Sequence, residues 1–242
     1  PTLMMGAVFF AFQIYGDFSG YSDIAIGTAR LFGIKLMTNF KTPYFSRDIA
    51  EFWRRWHISL STWFRDYLYI PLGGSRVGKW KAVRNTFVIF LVSGFWHGAN
   101  WTFIVWGLIH ALLFLPLLLS GKNRRNVGDI HGMPTMRELG GILVTFAAVT
   151  MAWVFFRADS IADAFGYFGH LIFGNGMGLG NRMLLASSCV GLVLFVDAIL
   201  WLKPNILLLH FKVVRWTVYA LGIFGVLLAW SDDSTQFIYF QF

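Results

Sequence analysis

Residues 86–119 read TFVIFLVSGFWHGANWTFIVWGLIHALLFLPLLL, and in those 34 positions His97 and His110 are the only ionisable side chains. As one straight helix the stretch would extend about 50 Å, whereas the hydrocarbon core of a bilayer is about 30 Å thick. It must therefore break, tilt strongly or cross twice. Gly94, Gly98 and Asn100 mark the break, immediately around His97. Two crossings also suit the charge pattern. The three basic connections of the chain then share one side of the membrane, with Asp232 and Asp233 on the other.

The remainder of the chain supports the same class. Hydrophobic residues make up 57% and charged residues 13%, with a mean hydropathy of +0.60. A soluble domain carries roughly a quarter of its residues charged, so lipid must cover much of this surface. The 26 Phe and 11 Trp suit interfacial aromatic belts. Further spans are expected over 3–15, continued by the weaker 21–34, and over 140–156, 183–202 and 213–230. Gly16, Asp17, Phe18, Ser19 and Gly20 interrupt the first. Ser160 is a candidate N-cap for a short segment over 161–173, and residues 174–180, with four glycines, form a flexible turn. The expectation is an all-α, polytopic transmembrane protein with an interfacial amphipathic helix and re-entrant or broken helices. Without an internal repeat or low-complexity linker, residues 1–242 read as a single membrane domain. The chain opens on Pro1, already in apolar sequence and without a signal peptide, and is expected to be a piece of a longer protein.

The only cysteine, Cys189, excludes an internal disulfide framework and a Cys-rich metal site; its apolar surroundings suggest a small buried hydrophobe. The net charge of +8 does not point to nucleic acid, because the bases lie between membrane segments without a recognition motif. Membrane lipid is the expected partner instead.

Most of the positive charge lies in residues 35–84, which carry ten basic side chains against Asp48, Glu51 and Asp66. By the positive-inside rule this connection faces the cytoplasm. Within it, residues 47–70 have helical amphipathic spacing. Ile49, Phe52, Trp53, Trp56, Leu60, Trp63, Phe64 and Tyr67 form one stripe, while Arg47, Glu51, Arg54, Arg55, Thr62 and Arg65 lie opposite. Such a helix lies in the membrane interface, with His57 at the rim of its apolar stripe. Pro71, Leu72, Gly73 and Gly74 end it.

His97 admits three readings from its residues alone. It is a general base, since burial favours the neutral, proton-accepting imidazole; or a ring packed between helices; or a metal ligand. For the last, carboxylate and thiol partners are missing, and His110, thirteen residues on, falls about 220° around a continuous helix. Ser93 and Asn100, at i−4 and i+3, would orient the ring on an unbroken helix. His110 itself reads as a helix-packing group, and His131, His170 and His210 carry no constellation. Arg54, Arg55, Arg65, Arg76 and Lys79 suit the phosphates of an acyl donor or anionic lipid. Asp17, Asp23 and Asp197 are carboxylates at membrane depth and keep a transporter or export scaffold open as the rival function. No phosphate-binding glycine loop and no Gly-x-Ser-x-Gly elbow occurs.

Taken together, three motifs carry a resemblance. They are Glu51-Phe52-Trp53-Arg54-Arg55-Trp56-His57-Ile58-Ser59-Leu60-Ser61-Thr62-Trp63, then Arg65-Asp66-Tyr67-Leu68-Tyr69-Ile70-Pro71-Leu72-Gly73-Gly74, then Trp96-His97-Gly98. The chain resembles the membrane-bound O-acyltransferase family, in particular the bacterial branch that acetylates alginate. Asp17-Phe18-Ser19-Gly20-Tyr21-Ser22-Asp23, Trp153-Val154-Phe155-Phe156-Arg157-Ala158 and Phe237-Ile238-Tyr239-Phe240-Gln241-Phe242 fit that branch as well. The resemblance implies that this is the C-terminal part of such a protein, lacking N-terminal spans. It implies a multi-pass protein of the bacterial inner membrane, with His97 as the essential histidine and His57 as the second motif histidine. By the same resemblance the donor is acetyl-CoA, with no bound cofactor or metal. The acceptor is an exported polysaccharide hydroxyl reached with periplasmic polysaccharide-acetylation proteins; peptidoglycan or D-alanyl transfer is the related alternative. Arg54, Arg55, Trp96, Asn100 and Trp101 are expected to bind or line the substrate site beside His97 and His57.

Overall fold

The computed structural model describes residues 2–76, 78–128, 133–174 and 181–202. The span expected over 213–230, the acids Asp232 and Asp233, the terminal motif over 237–242, and His131 and His210 lie outside them.

The described chain is helical. Long helices α1 (Thr2–Leu31), α4 (Lys79–His97), α5 (Trp101–Leu119), α6 (Met136–Arg157) and α8 (Asn181–Leu202) alternate with short ones, α2 (Ile49–Arg55), α3 (Ile58–Phe64) and α7 (Ile161–Phe173). α5 and α6 are long and apolar enough to cross a membrane. α4 is equally long but starts on Lys79, Lys81 and Arg84, at the basic end.

Residues 86–119 break where their glycines suggested. α4 ends at His97, and α5 starts at Trp101 with Asn100 as its N-cap. The two helices return antiparallel as a hairpin. Because lipid is as apolar as the side chains, helices in a bilayer associate through close packing and polar ties. Here glycine permits the close packing. A Cβ on Gly94 would collide with the Phe103 carbonyl, and one on Gly107 with the Phe90 carbonyl, so backbone lies on backbone at both crossings. Asn100 Nδ2 donates to the Asp159 carbonyl at 3.0 Å, tying the hairpin tip to the loop beyond α6.

α6 begins earlier than its hydropathy suggests, because Thr135 and Glu138 form a reciprocal capping box in front of it. Ser160 caps α7 as expected, accepting from Asp163 N–H at 3.1 Å.

Three expectations are corrected. α1 runs unbroken through Gly16 and Gly20, which face open space rather than a packed helix; four glycines in thirty residues do not outweigh continuous hydrogen bonding. Cys189 is exposed rather than buried. The helix expected over 47–70 is interrupted at Trp56 and His57, resumes as α3, and widens into a π-helical turn over Arg65–Tyr69. Its first part is not laid on an interface with one polar face in water. Ile49, Phe52, Glu51 and Arg55 are all buried, so protein covers both faces of α2. The stripe itself was real: Phe52 and Trp56 enter the core with Tyr15, Tyr44, Trp106, Val149 and Trp153.

Charge neutralisation is what lets the polar face be buried. The Glu51 carboxylate, 2% exposed, is held between two guanidiniums, with Arg47 Nε at 2.8 Å and Arg55 at 2.9 Å. Arg47 also reaches Glu138 of α6 at 3.3 Å and the Gly128 carbonyl at 2.8 Å. Its backbone runs against Gly141, where a Cβ would lie 2.7 Å from the Arg47 carbonyl oxygen. Removing one member of such a buried cluster leaves uncompensated charge and costs about 3–5 kcal/mol. Glu51→Gln is therefore expected to lower the thermal midpoint and membrane accumulation of the full-length protein sharply. Midpoints read by fluorescence in detergent should show the exposed control Asp66→Asn near wild type; equal loss in both would contradict the role given to Glu51.

Candidate active site

His97 is the last residue of α4, and its ring is gripped by aromatic groups from four directions. Ring centroids lie 5.1 Å from Trp96, 5.1 Å from Phe156, 5.2 Å from Trp106 and 6.4 Å from Phe103. The helix stops at His97, so Asn100 is not its i+3 neighbour. Asn100 instead caps α5 through Oδ1 and binds the Asp159 carbonyl through Nδ2. Trp101 is 73% exposed at the hairpin tip, away from the cage that Trp96, Trp106 and Phe156 build. Among the described residues, no hydrogen bond occupies the His97 ring, so it is placed by packing alone.

His57 approaches from the other half of the structure. It occupies the break between α2 and α3 in a left-handed conformation, φ 45° and ψ 55°, which side chains adopt rarely outside glycine. Its ring stands edge-on to Phe18 at 4.6 Å, and burial holds it neutral, with its pKa pushed down to about 4. The two imidazoles lie within electrostatic reach of each other. Rings bridge the space beside them: Trp56 meets Trp153 at 5.2 Å, and Trp153 meets Phe156 at 5.2 Å.

A cavity of about 430 Å³ lies beside the cage, on the far side of Trp53. Trp53, Phe64, Phe90 and Phe114 line its apolar part; Arg65 and Arg124, both exposed, stand at its mouth with Asn123. Ser93, also lining it, is one helical turn, about 6 Å, from His97. Trp53 separates the cavity from the cage, contacting Trp106 at 5.8 Å and His110 at 4.9 Å. His110 is fully buried between the rings of Trp53, Phe52, Phe90 and Trp106, as a packing residue.

Arg54 and Arg55 do not line the cavity. Arg54 donates to the Asn123 and Asn126 carbonyls at 3.1 and 3.0 Å, and Arg55 to Glu51 and the Lys41 carbonyl. Those contacts tie α2 to the 122–128 loop and to the Lys41 segment. Periodicity puts both on one polar face, whereas the 122–128 loop, distant in the chain, folds over Arg54 and the Lys41 segment over Arg55. Arg124, which no motif singled out, takes a place at the mouth because Arg54 holds its loop. Arg65 was among the candidate phosphate ligands and does line the cavity, with Asp66 fixing its guanidinium at 2.7 and 3.1 Å.

The acids behind the rival reading sit elsewhere. Asp197 of α8 is buried and accepts from Tyr15 at 3.2 Å. With Asp23, Lys41 and Arg55 it lines a separate cavity of about 670 Å³ between α1 and α8. Among the described residues, no group of three or more His, Cys, Asp or Glu side chains forms a metal site.

One histidine stands at a helix break and a second at the end of a glycine-crossed hairpin, with aromatic rings between them, and all of these lie within the stretch that the sequence comparison covers. The profile of the membrane-bound O-acyltransferase family matches residues 2–156, from α1 to the end of the cage. The chain belongs to the membrane-bound O-acyltransferase family. It is 41% identical over 205 residues to a peptidoglycan O-acetyltransferase of Helicobacter pylori, covering 83% of this chain and 38% of that protein. It is 46% identical over 160 residues to a probable alginate O-acetylase of Pseudomonas aeruginosa, covering 66% of this chain and 29% of the relative. A teichoic acid D-alanyltransferase of Streptococcus thermophilus is 34% identical over 175 residues, covering 64% of this chain and 41% of that protein. The chain thus spans well under half the length of these relatives.

The strained backbone at His57 is open to test independently of chemistry. Asn tolerates the left-handed region, whereas a β-branched residue there is an outlier. His57→Asn is expected to keep the wild-type thermal midpoint, and His57→Val to be less stable by about 1–3 kcal/mol. Indistinguishable midpoints for the two variants would mean that the conformation carries no strain.

Proposed function

We propose that the full-length protein is an acetyltransferase that moves an acetyl group from a cytoplasmic thioester, acetyl-CoA, to hydroxyls of an exported polysaccharide. It works as a multi-pass protein of the inner membrane alongside periplasmic polysaccharide-acetylation proteins. The observation that carries this reading is the approach of His97 and His57 to within electrostatic reach of each other, beside a cavity that is lined by Ser93, one helical turn from His97, and bears Arg65 and Arg124 at its exposed rim. Two guanidiniums suit the phosphates of a nucleotide thioester, and the apolar interior suits a pantetheine arm.

In this mechanism the neutral His97 imidazole accepts the proton of the acceptor hydroxyl as its oxygen attacks the thioester carbonyl. Collapse of the tetrahedral intermediate breaks the C–S bond. The proton then passes from the imidazolium to the departing thiolate, leaving an ester, a free thiol and a neutral ring. A placed base contributes about 10²–10⁴-fold. The buried rings of Trp106 and Phe156 shield one side of His97 from water, which would otherwise compete with the hydroxyl as nucleophile. Support for acetyl as the group and glycan as the acceptor comes from the names of the peptidoglycan and alginate relatives; alginate is the acceptor of the branch whose motifs the chain shares. The D-alanyl relative marks the alternative acyl group.

Two experiments test the reading. His97→Ala is expected to abolish transfer from labelled acetyl-CoA by the full-length protein with its partners while accumulating normally in membranes; retained transfer would remove His97 as the base. Wild-type protein that transfers no label would favour an export scaffold. Arg65→Ala and Arg124→Ala are each expected to raise the KM for acetyl-CoA about tenfold, the loss of one charge-assisted contact, with kcat largely kept. Unchanged KM in both would place the donor elsewhere.

A further inference from the structure

Asn39 precedes α3 by nineteen residues, yet it caps that helix's N-terminus. The Ile58 N–H donates to the Asn39 backbone carbonyl at 3.0 Å, and the Ser59 N–H to Asn39 Oδ1 at 3.1 Å. His57 stands at the N-cap position and makes no side-chain cap bond of its own. A helix start normally draws its capping oxygen from that very position. Supplying the cap from a distant segment leaves the His57 side chain free.

The same contacts fix where the protons lie. A backbone N–H can only donate, so the amide of Asn39 must turn its oxygen, not its nitrogen, toward Ser59. Ser59 Oγ lies 2.6 Å from that oxygen, and its single hydroxyl proton is therefore used there. On the other side Asn39 Nδ2 donates to Ser22 Oγ of α1 at 3.4 Å, with Ser22 buried. Ser59 Oγ is left with lone pairs alone, and it sits 3.5 Å from His57 Nδ1. Two lone pairs facing each other repel, so this approach is favourable only when Nδ1 bears the proton.

We propose that Asn39 and Ser59 are positioning residues that hold His57 as its Nδ1–H tautomer, leaving Nε2 as the ring's acceptor for a substrate N–H or O–H. The role in turnover rests on the acyltransferase reading; the tautomer does not. In chain order the relay runs from Ser22 on α1, through Asn39, to Ser59 on the first turn of α3 and back to His57. It joins the left-handed residue to α1, whose Phe18 also stands against the ring, so the ring has a fixed proton as well as a fixed place.

The test uses the full-length protein in lipid bilayers. Solid-state NMR with ¹³C,¹⁵N-histidine, His57 being assigned by the signal lost in His57→Asn, is expected to show a proton on Nδ1. In Ser59→Ala it is expected to show a mixture of tautomers. A wild-type ring protonated on Nε2 overturns the proposal whatever the activity. In turnover with labelled acetyl-CoA, Ser59→Ala is expected to lose about tenfold in kcat with KM unchanged, and Ser59→Thr, which keeps the hydroxyl, to restore it. Ser59→Ala turning over like wild type overturns the positioning role. Wild-type protein with the Nδ1–H ring but no acetyl transfer would instead overturn the transferase reading.

Discussion

The Glu51 carboxylate, closed between Arg47 and Arg55, is the constraint on which the remaining structure depends. A single charge buried in this environment would be prohibitive, and two arginines sharing one acid also leave excess positive charge. The surplus is absorbed by Glu138 on α6 and by carbonyls of the 41–42 and 122–128 segments. Those contacts draw three separate pieces of chain onto α2. Once α2 is held this way, its C-terminal end delivers Trp56 into the core and His57 to the break beyond it. The position of one catalytic candidate is therefore a consequence of charge pairing about two turns away.

The other histidine is placed by a different kind of force. His97 has aromatic surfaces around it and ends a helix whose partner is reached through glycine, with backbone against backbone. Among the described residues, no hydrogen bond steers the ring. The two imidazoles thus come from two construction principles, an ion-pair cluster and a tightly crossed hairpin, which meet at the Trp56, Trp153 and Phe156 rings. His57 has a hydrogen-bonded neighbour that can hold its tautomer. His97 has no such partner among the described residues, which suits a ring whose proton comes and goes.

Much of this was legible in the residues. The length of 86–119 demanded a break, and glycines with Asn100 located it, because chain length against bilayer thickness and N-cap chemistry are local quantities. Ser160 was legible for the same reason. The polar face of residues 47–70 was not. Periodicity separates apolar from polar positions, but it does not say whether water or a neutralising partner meets the polar ones; Arg54, Arg55 and Glu51 look alike in both cases. The role of Asn39 escaped for a related reason. Its cap serves a helix that begins beyond a break no pattern announced, and remote capping leaves no spacing signature. The left-handed turn at His57 was equally silent, since histidine there is neither glycine nor asparagine.

The crossings at Gly94 and Gly107 carry a mechanical consequence. Helices meshed backbone to backbone do not slide along each other, so α4 and α5 respond to their surroundings as one stiff lever. A thinner or thicker bilayer changes the tilt of such a lever rather than its internal length. The depth of His97 below the mouth at Arg65 and Arg124 is then a property of the protein and not of the lipid. In the proposed reaction, a change of bilayer thickness would leave the reach required of the donor unaltered.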